Sequence, residues 1–243
     1  MSKDIFLTFD MDWANDGVLE DFLTLIESND LTGTLYVTHE TDVLNKMKEC
    51  HLELGIHPNY NRLLMGEDPG ENYSNILKNI KKIIPDAITV RSHALTSSSI
   101  IVSQYKNFGI RYDLNTIIPA YKGLHIKPYK APAEPSVLVL PFIFEDDVYL
   151  AQQEHQNMEF FLSDEFVAPR IFNFHPIHLF LNTDRISTYE NARPYFGDYN
   201  RLKERINKDN FGIRDFFLEL VSTAKIHGWN FKKICEGEWE YSI

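Results

Sequence analysis

The chain has 243 residues, of which 44% are hydrophobic and 24% are charged. This length and composition are typical of one globular domain with enough apolar material for a sizeable core. The formal net charge of −11 argues against nucleic acid as a partner, because phosphate binding needs a basic surface, and it disfavours docking to an anionic membrane.

The first predicted element is a strand over residues 5–9, which runs directly into Asp10 and Asp12. Four of its five residues are β-branched or aromatic, which favours a strand buried on both faces in a parallel sheet. In parallel α/β folds the carboxyl ends of the strands carry the chemistry. The two carboxylates therefore either cap a loop or belong to a functional site.

Strand and helix patterns then alternate along the chain. Further strands are predicted at residues 35–38, 52–57, 88–91, 110–113, 137–144 and 171–174. Helices are predicted at residues 18–26, 43–47 and 76–84, in a stretch that ends at residue 108, and at residues 216–224. Residues 119–135 look irregular, and residues 184–212 look like a long loop or lid.

This alternation predicts a parallel α/β fold, and a count of seven or eight strands favours a barrel over an open sheet. One domain is expected over residues 1–243. Cys50 and Cys235 show no pairing motif and are expected to be reduced thiols. The sequence shows no signal-peptide pattern and no membrane span, so a cytoplasmic location is expected.

Polar side chains recur where the predicted strands end. A barrel brings these ends to one face, and Asp and His are suitable ligands for a catalytic divalent metal that keeps a position open for water. The residues concerned are Asp10, Asp12, His57, Arg91, His93, His175 and His178.

Several of these segments resemble motifs of the polysaccharide deacetylase family (carbohydrate esterase family 4, or NodB-homology proteins). Residues 8–12, Thr-Phe-Asp-Met-Asp, resemble the first motif, and residues 53–61 resemble the second. Arg91 stands where the third motif begins, residues 109–113 resemble the strand that follows it, and Phe-His-Pro at 174–176 resembles the last motif. The order and spacing are most similar to the WbmS-type branch of O-antigen loci.

The resemblance implies a distorted (β/α)7 barrel. It implies that Asp10 is the general base, that Asp12 and His57 bind a divalent metal, with zinc expected, that Arg91 keeps Asp10 ionised and that His175 is the general acid. The implied activity is removal of an N-acetyl or similar acyl group from a small-molecule or lipid-linked carbohydrate in surface polysaccharide biosynthesis. Two alternatives stay open: a non-sugar C–N amidohydrolase of the same superfamily, and a catalytically silent sugar-binding protein.

The third metal ligand is uncertain in the sequence, because Asn61 stands where the family has a second His. An amide oxygen is a poorer zinc ligand than imidazole. His93 lies two residues beyond Arg91, and alternate residues of a strand point the same way. We therefore expect His93 to be the third ligand, with Asn61 as the alternative and a substrate contact as the other possible role for His93.

Other residues near the strand ends have weaker signals. Trp13 and Tyr60 either stack on a sugar ring or pack at the barrel rim. Asp146 and Asp147 follow a predicted strand, and although the family places an Asp near the catalytic His from such a region, the local match favours a solvated acidic turn. His178 is expected to have a supporting role at the rim. The aromatic residues of segment 184–212 either cover the site or pack on the barrel.

Overall fold

The structure, a computed structural model, describes residues 3–67, 70–152 and 158–241. The strands in these ranges are β1 (Asp4–Asp10), β2 (Gly33–Val37), β3 (Leu52–Ile56), β4 (Thr89–Val90), β5 (Tyr112–Asp113), β6 (Tyr129–Ala131), β7 (Glu134–Val139), β8 (Phe144–Glu145), β9 (Ile171–Phe174) and β10 (Asn230–Lys232). The α-helices are α1 (Asp16–Ser28), α2 (Val43–Glu49), α3 (Asn61–Leu64), α4 (Tyr73–Ile83), α5 (Ser99–Val102), α6 (Asp146–Gln152), α7 (Met158–Phe161), α8 (Pro176–Leu181), α9 (Ile186–Ala192), α10 (Tyr199–Lys203) and α11 (Ile213–Ile226).

The strands form one curved sheet in the order β6-β7-β5-β4-β3-β2-β1-β9-β8, and β10 also pairs with β1. Neighbours are parallel throughout, except for the antiparallel β6–β7 pair. In the described ranges no ladder joins β6 to β8, so the barrel is distorted and left open at that seam. This confirms the predicted α/β class and its distorted barrel.

Strand β1 is central because every one of its residues is buried. Phe9 contacts Phe22 of α1, with ring centroids 4.7 Å apart, and Phe144 of β8 stacks on Phe216 of α11 at the same distance. One cluster of buried hydrophobic side chains extends from Ile5 to Ala224; the single domain over residues 1–243 stays a prediction. Within the described ranges, no helix is long and apolar enough to cross a lipid bilayer.

Two predicted elements are interrupted in the structure. The predicted strand at 137–144 is split into β7 and β8, because Pro141 between them has no backbone N–H to donate to a ladder. The helix predicted to end at residue 108 is the short α5 followed by a 3-10 helix, Tyr105–Phe108, that ends at Gly109 with a φ of 71°. Strands β6 and β10 and helix α3 are short and were not predicted.

The prediction of a long loop at residues 184–212 is wrong, because this segment contains α9, a 3-10 helix and α10. The Asp198 side chain accepts a hydrogen bond from the Arg201 backbone N–H at 3.2 Å and so caps α10. Segment 184–212 has five aromatic residues. Phe211 is 51% exposed, and the other four are partly buried against the core, namely Tyr189, Tyr195, Phe196 and Tyr199. These four rings therefore supply packing, and only a contact with the site could give them a further role.

Candidate active site

Asp10 is the last residue of β1, and two buried polar side chains hold its carboxylate. Arg91 donates from Nη1 to Asp10 Oδ1 at 3.1 Å, and Asn173 donates from Nδ2 to Asp10 Oδ2 at 2.9 Å. Arg91 is fully buried between the rings of Tyr36 and Phe142, with its guanidinium carbon 4.7 and 4.5 Å from their centroids. A buried charge needs such a partner, so Asp10 and Arg91 form one ion pair that is shielded from water.

Asn173 was not identified from the sequence. Its Oδ1 accepts a hydrogen bond from Arg91 Nη1 at 2.5 Å, while its Nδ2 donates to both Asp10 and Glu145, the latter at 3.2 Å. Asn173 lies on β9 two residues before His175, and alternate strand residues share a face. That spacing is the signal that could have found it. Burial raises the pKa of Glu145 to about 7, so this carboxyl is partly protonated at neutral pH.

The structure brings Asp12, His57 and His93 together. His57 Nε2 lies 3.3 Å and His93 Nδ1 3.0 Å from Asp12 Oδ1. Burial raises the pKa of Asp12, but the neighbouring imidazoles of His175, His57 and His93 outweigh it and hold the pKa below its usual range. These three residues form one of the groups whose ligand atoms lie within 4.8 Å of one another.

This group fits a divalent metal. Zinc bonds of about 2.0–2.1 Å in tetrahedral geometry place neighbouring donor atoms about 3.3 Å apart, close to the observed separations. Both ring nitrogens of His57 are buried, and neither has a hydrogen-bond partner in the described part of the chain. Such orphaned polar atoms are costly, and a metal bond to one of them would remove part of that cost. Asp12, His57 and His93 therefore suit a site with three protein ligands and an open position.

His93 reaches this cluster by a different route from the one predicted. Strand β4 ends at Val90, and His93 begins a 3-10 helix, His93–Leu95, instead of continuing the strand. The next two residues, Ala94 and Leu95, have φ values of 53° and 51°. The backbone N–H of His93 donates to Pro58 O at 3.0 Å, which ties this turn to the segment after His57. Strand alternation was therefore the wrong reason for pairing His93 with Arg91.

Asn61 and Tyr60 are not among the described residues that line the two cavities at the site. Asn61 is the first residue of α3, and neither of the two cavities at the site includes it among its described lining residues. Tyr60 is fully buried, and its ring contacts that of Tyr73 at 5.5 Å between centroids. A ring with no exposed face cannot stack on a sugar, so the predicted substrate contact of Tyr60 is wrong.

His175 follows β9, and its two ring nitrogens have different surroundings. Nδ1 lies 2.6 Å from Asp146 Oδ1, and Asp146 Oδ2 accepts the backbone N–H of His175 at 2.7 Å. Nε2 faces the cluster, 3.4 Å from Asp12 Oδ2 and 3.9 Å from Asp10 Oδ2. Burial opposes the charged imidazolium, but the negative charge of Asp146 and the hydrogen bonds that the ring donates to Asp12 and Asp146 prevail and raise the pKa of His175 well above its usual range.

Asp146 contradicts the expected solvated acidic turn, because its side chain is fully buried. Its burial has no local signal in the sequence, because a buried and an exposed aspartate cannot be told apart until the position of the partner, His175, is known. Asp147 differs, with a half-exposed side chain. Its Oδ1 lies 2.8 Å from His178 Nε2, and His178 Nδ1 lies 3.0 Å from Thr183 Oγ1. His178 thus has the supporting position expected of it.

Two aromatic side chains lie at the edge of the site. Trp13 is 45% exposed and contacts the His93 ring edge-to-face, with centroids 5.3 Å apart. Tyr189 of α9 lies over the His178 ring at 4.8 Å and near Trp13 at 6.4 Å. Trp13 is therefore accessible to a ligand, while its stacking role stays a prediction. Tyr189 is the residue through which segment 184–212 contacts the site.

Two cavities meet at the cluster. The first has a volume of about 430 Å³ and the second about 350 Å³. Both are lined by Asp12, Trp13, His57 and His93. The second also includes Asp10, Glu145, Asp147 and His175, so it holds the groups that can transfer protons.

A curved parallel α/β barrel with this Asp and His arrangement at its strand ends defines a protein of the polysaccharide deacetylase class. The model of the WbmS-like polysaccharide deacetylase family matches residues 7–193. The chain belongs to this family.

Solved structures agree with this assignment. WbmS from Bordetella bronchiseptica, described as a proposed polysaccharide deacetylase involved in O-antigen biosynthesis, is 31% identical over 90% of each chain, with a TM-score of 0.83. A peptidoglycan N-acetylglucosamine deacetylase shares the fold at 8% identity, 96% coverage of this chain, 86% coverage of that one and a TM-score of 0.52. The 4-α-glucanotransferase from Thermococcus litoralis shares it at 13% identity and a TM-score of 0.54, covering 98% of this chain and 39% of that one. No curated protein matches the chain.

Proposed function

We propose that the protein is a metal-dependent hydrolase that removes an N-acyl group from a sugar or sugar-linked precursor in surface polysaccharide biosynthesis. One observation carries the proposal: the Asp12, His57 and His93 cluster lies between a buried carboxylate and a buried imidazole, each with its own charged partner. Asp10 is paired with Arg91, and His175 with Asp146. A protein that only binds sugar has no need of these two buried pairs.

The roles follow from the contacts of each group. A divalent metal held by Asp12, His57 and His93 supplies Lewis acidity, which polarises an amide carbonyl and makes water more acidic. Asp10 accepts the proton of the attacking water, because Arg91 and Asn173 hold its carboxylate in one position. His175 carries a proton on Nε2 at the cavity, because Asp146 accepts from Nδ1 and stabilises the imidazolium.

The positions of these two groups suit opposite proton transfers on one substrate. His175 Nε2 lies 3.9 Å from Asp10 Oδ2, so an amide carbon and nitrogen placed at the cluster are within reach of both. The base takes a proton as water attacks the carbonyl carbon, and the acid delivers one to the nitrogen as the C–N bond breaks. The products are a free carboxylic acid and an amine, and each group has then changed its protonation state once.

The substrate class and location rest on similarity and chemistry. WbmS is described in connection with O-antigen biosynthesis, and the exposed indole of Trp13 offers a face for a sugar ring. Both cysteines are free thiols, which suits a reducing compartment. We therefore favour a cytoplasmic reaction on a nucleotide-linked or lipid-linked sugar.

Acetate and other carboxylate release from a panel of N-acylated nucleotide-sugars tests the proposal. The protein is dialysed against a chelator and reconstituted separately with Zn, Co, Mn or Ni. We expect release with at least one metal, and loss of release in Asp10→Asn, whose amide cannot accept the proton. Release only from non-sugar amides would instead support the alternative amidohydrolase. A protein that holds metal but releases nothing from any substrate would contradict hydrolysis.

The segment 184–212 contributes to this proposal through Tyr189 alone among its aromatic residues. Its ring contacts both His178 and Trp13, so it can cover one edge of the second cavity. We propose that it shields the Asp147–His178 pair from bulk water and narrows the cavity around the substrate.

A further inference from the structure

The first cavity, which we call the α4 cleft, is walled on one side by helix α4. Ile76, Ile80 and Ile83 from this helix line it together with the candidate metal ligands. Residues four and seven positions apart lie on one helix face, so the three isoleucines form a continuous apolar wall. Ile76 and Ile83 are only partly buried. The apolar surface of α4 therefore continues past the protein core and into the cleft.

The α4 cleft and the second cavity differ in the chemical groups that line them as well as in position. The α4 cleft is lined by Asp12, His57 and His93, but among its described lining residues it has neither Asp10 nor His175. The second cavity has both. The metal ligands thus form the floor that the two cavities share, and the proton-transfer groups lie on one side of it.

If the proposed hydrolysis is correct, an amide substrate can lie across the two cavities in only one direction. The carbonyl carbon carries three substituents, namely the oxygen, the nitrogen and the acyl chain. The oxygen belongs at the Asp12, His57 and His93 cluster, and the nitrogen must lie near His175 to be protonated. The acyl chain projects away from the nitrogen, which directs it from the shared floor into the α4 cleft and leaves the sugar in the second cavity.

The α4 cleft is larger than an acetyl group requires. A methyl group is about the size of a water molecule, which occupies about 30 Å³, whereas the cleft measures about 430 Å³. An apolar wall leaves a favourable free energy unused unless an apolar group covers it. We propose that the α4 cleft binds the acyl group of the substrate and that this group is an aliphatic chain longer than acetyl, from butyryl to hexanoyl. The inference rests on the proposed function and specifies its substrate.

A series of alkyl hydroxamic acids tests this without turnover. The hydroxamate oxygens chelate the metal, and the alkyl chain takes the place of the acyl chain. Isothermal titration calorimetry on the zinc-loaded protein compares acetohydroxamic, butyrohydroxamic and hexanohydroxamic acid. We expect affinity to increase about threefold with each methylene that enters the apolar cleft.

Variants of the α4 wall locate the effect. Ile76→Phe and Ile83→Phe each fill part of the cleft, so we expect both to weaken hexanohydroxamic acid about tenfold, the gain of roughly two methylenes, while acetohydroxamic acid keeps its affinity. Ile100→Phe is the matched control, because Ile100 is 61% exposed on α5 and does not line the α4 cleft. Two wall variants are used so that failure of one to fold leaves the test intact.

The outcomes separate this inference from the proposed function. Failure to retain any of Zn, Co, Mn or Ni overturns both. Zinc retention with acetohydroxamic acid bound, but affinity that does not increase with chain length, refutes the acyl assignment alone and assigns the cleft to a polar part of the substrate. The acyl assignment is also refuted if affinity increases with alkyl chain length to the same extent in the wild type and in the Ile76 and Ile83 variants. The alkyl chain would then be bound outside the α4 cleft.

Discussion

Replacement of His93 by alanine tests the candidate metal site most directly. Its Nδ1 lies 3.0 Å from Asp12 Oδ1, and the change leaves Asp12 and His57 as the remaining ligands of the cluster. Four-ligand structural zinc sites bind with about 10–16 kcal/mol in total, or roughly 3 kcal/mol per ligand. A loss of that size weakens zinc binding by about two orders of magnitude.

Asn61→Ala is the matched control. Asn61 occupies the sequence position of the missing family histidine, yet in the structure it begins α3 and lines neither cavity within the described residues. We expect its loss to change zinc affinity by less than about threefold. Zinc per chain is measured by atomic absorption after dialysis against graded chelator, and far-ultraviolet circular dichroism confirms that each variant is folded.

The pH dependence of zinc affinity provides a second measurement on the same proteins. The hydrogen bond with Asp12 raises the pKa of His93 despite its partial burial. A metal ligand must be a neutral imidazole, so a proton competes with zinc below this pKa. Zinc affinity in the wild type should therefore fall as the pH decreases, and His93→Ala should show a weaker dependence. If Asn61→Ala empties the site while His93→Ala retains zinc, the ligand assignment is wrong and His93 must contact substrate instead.

Three further outcomes are expected. Asp146→Asn removes the carboxylate that raises the pKa of His175. Because the general acid must carry its proton, the alkaline fall in kcat should move to lower pH, and kcat should drop roughly 10²-fold or more. An unshifted pH profile of kcat would contradict the pairing of Asp146 with His175. Tyr60→Phe removes a buried hydroxyl that has no hydrogen-bond partner among the described residues, so thermal denaturation should show unchanged or higher stability, by up to about 1 kcal/mol, with kcat/KM unaltered. Tyr189→Ala should raise KM more than it lowers kcat, and an unchanged KM would refute its covering role beside Trp13.

The sequence predicted well those elements whose burial comes from their own residues. Strands β1 and β9 consist mainly of apolar and β-branched residues, and each is buried along its whole length. Helix α1 has both an Asn15 cap and an apolar face, and it forms close to the predicted residues. Short strands at the sheet edges could not be predicted in this way. Strand β6 forms because it can pair with β7, and a sequence of three residues is too short to show the alternation that would indicate this pairing.

In the site, too, residues within a local sequence motif could be predicted, whereas residues that depend on a distant partner could not. Asp10, Asp12, His57 and His175 are recognisable because each stands in a segment that resembles a family motif. Asp146 was misjudged because its burial depends on His175, 29 residues away in the chain. A titratable residue that is stabilised by a distant partner has no local signal, so the sequence favours the solvated alternative by default.

Asn173 shows why the partner network matters more than the identity of the base. Arg91 Nη1 donates to both Asp10 Oδ1 and Asn173 Oδ1, and Asn173 Nδ2 donates to Asp10 Oδ2, which closes a triangle of three buried side chains. Because Arg91 has no acceptor, it fixes which end of the Asn173 amide is the oxygen. The NH2 end must then face Asp10, to which it donates its hydrogen bond. The two neighbours thus hold the Asp10 carboxylate in one orientation, and a general base must be positioned in this way before the substrate arrives.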